Sequence, residues 1–272
     1  MRSPASGCPG TRADAARLTA GPPASVLAVD YCGVAETEAG RLRAAAVAAG
    51  PDSTVPTCPR WTVHRLVAHT GRAFDMVTGA LRAADPSSPP PEPSRPEGDF
   101  DAVLAGYDER LATMLELLRS VGPNAPAWHF SPTAPKTAAS LARRMAHEAT
   151  VHRIDAQAAA GGAASEQDAR VDPEVAADGV DEVLRWLIQR WTDQWATGEL
   201  SGTVLYHAAD AGRAWTVRLV AGQLPQTAPE SVAEPDASVV GLADAVYRAA
   251  WGRPSGATVT GDPALVQATQ AR

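Results

Sequence analysis

The chain has 272 residues, 45% of them apolar and 20% charged, the balance of an ordinary soluble globular protein with ample surface to bury. A formal net charge of −7 argues against a nucleic-acid surface as the main role, and no run of eighteen apolar residues suggests a membrane span, so neither nucleic acid nor membrane is an expected partner. Cys8, Cys32 and Cys58 are odd in number and lack CxxC spacing, which indicates neither a disulfide framework nor a thiolate zinc site.

The basic residues are almost all arginine, with Lys136 the one lysine, Asn124 the one asparagine, and Ile154 and Ile188 the two isoleucines. Residues with AT-rich codons are scarce, which suggests a high-GC, actinobacterial genome. Met1 to Thr19 lacks the apolar centre of a signal peptide, so the expected location is cytoplasmic. Residues 1–28, rich in Pro, Gly, Ser and Ala, read as a disordered leader.

From Asp30 a helix is expected through Val34, Leu42 and Val47 to a cap at Gly50. A loop holding Val55-Pro56-Thr57-Cys58-Pro59 leads to a second helix, Trp61 to about Ala84, whose apolar stripe of Val63, Leu66, Ala73, Val77 and Leu81 is interrupted by His69. Pro86 to Pro96 is a connection, and Phe100 to Val121 a third amphipathic helix. A loop with Trp128 and His129 precedes a fourth helix, free of Gly and Pro from Thr137 to Ala160. Four helices of this kind predict a bundle over residues 29–165.

The pattern then changes. Asp172-Pro173 opens a fifth helix running to about Trp195, followed by strands over Gly202–His207 and Ala214–Val220 joined by an Asp210-Ala211-Gly212 turn. A third strand at Ala237–Val240, a helix over Leu242–Trp251, a short strand at Ala257–Thr260 and a last helix from Asp262 complete a smaller α+β domain, 170–272. The trio Trp186, Trp191 and Trp195 fits packing at the domain interface, and His64 and His207 fit the surface.

The fourth helix carries a chemically unusual stripe. Leu141, Met145, Glu148, His152 and Asp155 recur at spacings of three and four, so acid, imidazole and acid continue an apolar face. Glu148 and His152 are separated by only about 40° around the axis and can reach one cation. His147 and His152 stand about 140° apart, so the protease-like HExxH reading fails. His69 is the natural third ligand. Two His and a carboxylate would leave coordination positions open, the mark of a catalytic site, with Zn²⁺ the first guess. The residues alone leave a second reading open, in which His69 is a satisfied core histidine and Glu148–His152 a solvated pair.

Three stretches carry a family resemblance: Val55-Pro56-Thr57-Cys58-Pro59-Arg60-Trp61-Thr62-Val63 leading into His69, Arg143 to Ala156, and Trp251-Gly252-Arg253 followed by Val259 to Leu265. With these, the chain resembles the mycothiol-dependent maleylpyruvate isomerase family. The resemblance implies a DinB-like metal-binding four-helix bundle followed by a domain similar to sterol-carrier proteins. It implies a divalent metal, usually zinc, held by His69, Glu148 and His152, and mycothiol as cosubstrate. It also implies an arginine of the C-terminal domain that helps bind or activate the thiol, for which Arg253 is the candidate. Arg60, where many relatives have Gly, departs from the pattern away from the ligands.

A metal-bound thiol is deprotonated. Its addition to an activated double bond, rotation and elimination isomerise cis to trans, and addition without elimination gives a conjugate. The expected activity is therefore isomerisation or S-transfer on a small electrophilic metabolite by a monomer or homodimer. His147, Arg144 and Asp155 are the candidates for acid–base or supporting roles, with His129 beside them; Asp155 could equally pair with Arg153 or Arg144. Cys58 reads as a small buried residue. Two alternatives remain: a non-enzymatic metal- or ligand-binding module, favoured if His147 or His129 supplies a fourth ligand, and a thiol-independent, metal-assisted tailoring enzyme.

Overall fold

The computed structural model describes residues 29–162, 169–190, 195 and 198–271. The expected leader, Cys8, Trp191 and the boundary segment 163–168 lie outside them.

Polar caps set the ends of the four N-terminal helices. Asp30 accepts from Gly33 N at 3.0 Å to start α1, Tyr31–Ala49, which stops at Gly50 with φ 82°. Thr62 caps α2, Val63–Arg82, and Asp99 caps α3, Phe100–Val121, by accepting from Ala102 N. Thr137 caps α4, Ala138–Ala159. The loop before α2 is fixed by Val55 N to Trp61 O and by the buried Val55 side chain. Helix α1 packs on α4 and α2 on α3, and the Tyr107 hydroxyl donates to Ala39 O at 3.0 Å to tie α3 to α1.

Helix α4 is not the one-sided helix that its sequence suggests. From Ser140 to Ala156 every residue except Glu148 is buried, arginines included. One side joins the bundle core with Leu141, Met145 and Ala149, and Val151 and Ile154 enter the core of the C-terminal half.

That second half begins with α5, Pro173–Glu182, capped by Asp172. The helix expected to run to Trp195 is regular α-helix only to Glu182 among the residues described up to Arg190. A π turn over Val183–Leu187 and a 3-10 turn over Ile188–Arg190 follow. Hydroxyls from elsewhere take the carbonyls there: Thr227 Oγ1 donates to Leu184 O at 2.7 Å, Thr133 Oγ1 to Arg185 O at 2.7 Å and Ser131 Oγ to Trp186 O at 2.9 Å. Trp195 is buried and donates Nε1–H to Ile188 O.

A five-stranded sheet carries the rest, in the order β3-β2-β1-β4-β5. Strands β1 (Gly202–Ala208) and β2 (Arg213–Leu219) form an antiparallel hairpin from Gly202↔Leu219 to Ala208↔Arg213, turned at Gly212 with φ 60°. Strand β3, Gln226–Ala228, was not expected; its three residues carry no apolar alternation, and pairing with β2 alone makes it a strand. Strand β4 (Ala237–Gly241) runs parallel to β1, and β5 (Thr258–Gly261) antiparallel to β4. Helices α6 (Ala243–Ala250) and α7 (Pro263–Ala268) join α5 over a core of Val204, Tyr206, Trp215, Val217 and Val239. The architecture is the expected mixed α+β: a helical N-terminal half and a sheet covered by helices. No described helix is long and apolar enough to cross a membrane.

Candidate functional site

The chemistry-bearing residues of α2 and α4 meet where the loop before α2 folds over both. His69 Nε2 lies 3.1 Å from Glu148 Oε1, and His152 Nε2 lies 3.3 Å from the same oxygen. One ligand atom from each of the three residues lies within 4.8 Å of the others, and no further described His, Cys, Asp or Glu joins the group. The Trp61 ring stands 4.7 Å from the His69 ring and 6.0 Å from that of His152, walling one side. The His69 imidazole is 41% exposed and that of His152 8%, so the group opens to solvent at His69.

The hydrogen bonds fix which atoms point inward. His152 Nδ1 lies 2.9 Å from Asp155 Oδ2, which holds a proton on Nδ1 and turns Nε2 toward Glu148. A neutral His152 would then aim a lone pair at a carboxylate oxygen, so a proton or a cation must lie between them. Burial disfavours the His152 cation, yet Glu148 and Asp155 outweigh it and hold its pKa up at about 9. Burial likewise raises the Glu148 pKa, but His152, His69 and Arg144 together keep it well below the usual carboxylate range. Two nitrogens and one oxygen, 3.1 and 3.3 Å apart along the two shared edges, suit a divalent ion. Ligands about 2.0 Å from zinc in a tetrahedron are separated by about 3.3 Å.

Around these three, Arg144 Nη2 reaches Glu148 Oε2 at 3.4 Å while its Nη1 pairs with the buried Glu182 of α5 at 2.5 Å. Asp155 does not pair with Arg153 or Arg144. Besides His152 it accepts from Thr57 Oγ1 and from Arg253, and Arg153 instead donates to Glu38 at 2.7 Å.

Residues 32–157 match the family model described as the mycothiol maleylpyruvate isomerase N-terminal domain, and residues 174–268 match the one described as the MDMPI C-terminal domain. The chain belongs to the mycothiol-dependent maleylpyruvate isomerase family. Two solved structures share its fold. The crystal structure of the mycothiol-dependent maleylpyruvate isomerase is 14% identical, with a TM-score of 0.56 over 85% of this chain and 91% of that one. That of a histidine-to-alanine mutant of the same isomerase has a TM-score of 0.57 at the same identity and coverage. No curated protein matches the chain in sequence.

In this member of the family several candidate residues stand elsewhere than expected. His147 faces away from His69 and His152, as its five-residue offset requires. It is fully buried against α5, with Nε2 2.8 Å from Asp178 Oδ2 and its ring 6.0 Å from that of Tyr247. It is therefore a contact between the two halves rather than a neighbour of the ligand group. His129 stacks on Phe130 at 4.6 Å and accepts from Ser131 N through Nδ1, and it does not lie within ligand distance of the three. Arg253 points at Asp155 and Trp251 O rather than into open space. Sequence reasoning missed Thr57 as a partner of Asp155. Its position in the Val55-to-Pro59 stretch was the available signal, but nothing local says where its hydroxyl points.

A cleft of about 510 Å³ lies between the halves, lined by Pro56, Thr57, Ile154, Gln157, Arg248 and Pro254 among others. None of His69, Glu148 and His152 lines it, while Thr57, which does, donates to Asp155. The open edge at His69 is thus the approach to the ligand group.

Proposed function

We propose that this protein is a metal-requiring, mycothiol-using enzyme that isomerises a cis double bond in a small electrophilic metabolite. The observation that carries the reading is the convergence of His69 Nε2 and His152 Nε2 on Glu148 Oε1, with the far nitrogen of His152 held by Asp155. His69, Glu148 and His152 would hold the divalent ion, Zn²⁺ by the character of its donors, which when bound supplies the Lewis acidity that keeps a thiol ionised at neutral pH. Family membership supports mycothiol as that thiol and isomerisation as the outcome.

The protein's own groups divide the remaining work. Asp155 keeps the proton at His152 Nδ1 and so leaves Nε2 free to ligate. Arg144 balances the charge of Glu148 on the oxygen turned away from the histidines. Trp61 shields the two imidazoles from water on one side, which strengthens electrostatic interactions there. The exposed edge of His69 admits the reactants.

His69→Ala tests the reading. The purified variant should lose its stoichiometric metal and its thiol-dependent turnover together, while the wild type retains both. Full turnover with unchanged metal content in the variant would overturn it. A stable thioether conjugate as product, in place of a trans isomer, would reassign the reaction to S-transfer.

A further inference from the structure

Arg253 follows α6 and belongs to the C-terminal half, yet its guanidinium reaches the α4 helix of the other half. Nε lies 2.9 Å from Asp155 Oδ1 and Nη2 lies 2.8 Å from Asp155 Oδ2, a two-pronged contact with one carboxylate. Nη1 donates to Trp251 O at 2.7 Å, and Nη2 faces Cys58 Sγ at 3.9 Å. The Arg253 side chain is 11% exposed and that of Asp155 is 0% exposed. Thr57 Oγ1 completes the shell of Asp155 at 2.5 Å from Oδ1. The carboxylate therefore has one remaining task, which is to accept from His152 Nδ1 at 2.9 Å.

This geometry does not suit a cation that receives a thiol. The fork of Arg253 is occupied along its Nε–Nη2 edge, and the group it occupies touches a proposed metal ligand. A carboxylate clamped on both oxygens cannot rotate about its own axis, and an imidazole bonded to it cannot rotate either. The line from Arg253 through Asp155 to His152 thus carries a constraint from one half of the molecule into the other.

We infer that Arg253 is a positioning residue: by clamping Asp155 it fixes the tautomer and ring orientation of His152, so the C-terminal domain sets the affinity of a metal centre built by the helical bundle. The inference rests on the reading of His69, Glu148 and His152 as that centre. Groups that orient a metal-bound histidine in this way alter metal affinity by about 10–100-fold when removed. A lysine at 253 would keep the charge and lose the two parallel N–H bonds.

The test measures Co²⁺ and Zn²⁺ affinity of the full-length protein by chelator competition, with the cobalt absorption bands recorded alongside. Arg253→Met and Asp155→Asn should each weaken binding by about 10–100-fold and shift the bands. Arg253→Lys should fall between Met and wild type. Arg253→Met added to Asp155→Asn should change little further, because arginine acts through the carboxylate. Circular dichroism and Tm report folding, and Arg253→Lys carries the measurement if the Met variant does not fold. Wild-type affinity and bands in the Arg253 variants, with a raised KM for the thiol, would overturn the inference and return Arg253 to thiol contact. So would additive losses in the double variant. Absence of metal binding by the wild type is a separate result, and it would remove the metal centre itself and this inference with it.

Discussion

Three histidines near the sequence centre of this chain meet three different fates, decided by what stands opposite each ring. His152 lies between two carboxylates, Glu148 at 3.3 Å from Nε2 and Asp155 at 2.9 Å from Nδ1. His147, on the same helix, is held by Asp178 at 2.8 Å, which in turn bonds Arg143 Nε at 2.9 Å. Among the described residues, the charged neighbours that act on His129 are all cations. This histidine is 1% exposed, and burial first, then the cations Arg144, Lys136 and Arg143, pull its pKa down to about 4. Its Nδ1 accepts from Ser131 N at 3.0 Å, which requires the neutral ring. The unfolded chain, with an ordinary imidazole near pH 6.5, takes up a proton between pH 6.5 and 4 that the folded protein refuses. Stability from this residue is therefore complete above about 6.5 and falls as pH drops toward 4, by roughly 3 kcal/mol at full extent. His129→Asn keeps an acceptor for Ser131 N and removes the titration. Its Tm should decline less steeply than that of the wild type between pH 6.5 and 4. Parallel slopes would show that His129 is not the group responsible.

At the scale of elements, α4 and α5 show what sequence can and cannot announce. Apolar periodicity, bounded by glycine and proline breaks, made all four bundle helices legible to within about two residues at each end. The stripe of α4 and the break in α2 at His69 made three residues that meet in the structure legible too. The full burial of α4 was not legible, because its charges are matched by distant residues: Arg143 by Asp178, Arg144 by Glu182, Arg153 by Glu38, Asp155 by Arg253. Such partners are 35 to 115 residues away, beyond any helical or strand period. The π turn after α5 escaped for the same reason, since its carbonyls accept from hydroxyls of Ser131, Thr133 and Thr227, which are distant in sequence. Helix α5 approaches closely because Gly179 has no side chain. A Cβ there would stand 2.2 Å from Tyr247 Cε2 and 2.8 Å from His147 Nδ1, both fully buried rings with little room to yield. Alanine favours a helix over glycine by about 1 kcal/mol, but overpacking of a filled core costs about 1–3 kcal/mol. Gly179→Ala should therefore lower Tm, and a higher Tm would show that α5 can shift without cost.

Across the whole molecule, two family domains share one helix. Helix α4 belongs to the bundle by sequence, yet Val151 and Ile154 lie in the C-terminal core, and the Tyr247 hydroxyl donates to His147 O at 3.3 Å. Between the halves stand Arg143–Asp178 at 2.9 Å and Arg144–Glu182 at 2.5 Å, the second with side chains only 4% and 0% exposed. Separating the halves would part both pairs and expose Val151 and Ile154 together with the apolar core they enter. The two halves should accordingly unfold together. Calorimetry should show one transition, and it should coincide with loss of near-ultraviolet signal from Trp61 and Trp128 in the bundle and from Trp215 and Trp251 beyond it. Glu182→Gln removes the anion opposite Arg144 and leaves the arginine to Glu148 and to the face of Trp251, 5.0 Å away. The loss should be roughly 3 kcal/mol, and its form is the informative part. If α4 couples the halves, the whole transition moves to lower temperature as one. If the bundle transition stays in place while only the C-terminal signal moves, the halves fold independently, and the clamp from Arg253 to His152 would then join two separately stable bodies.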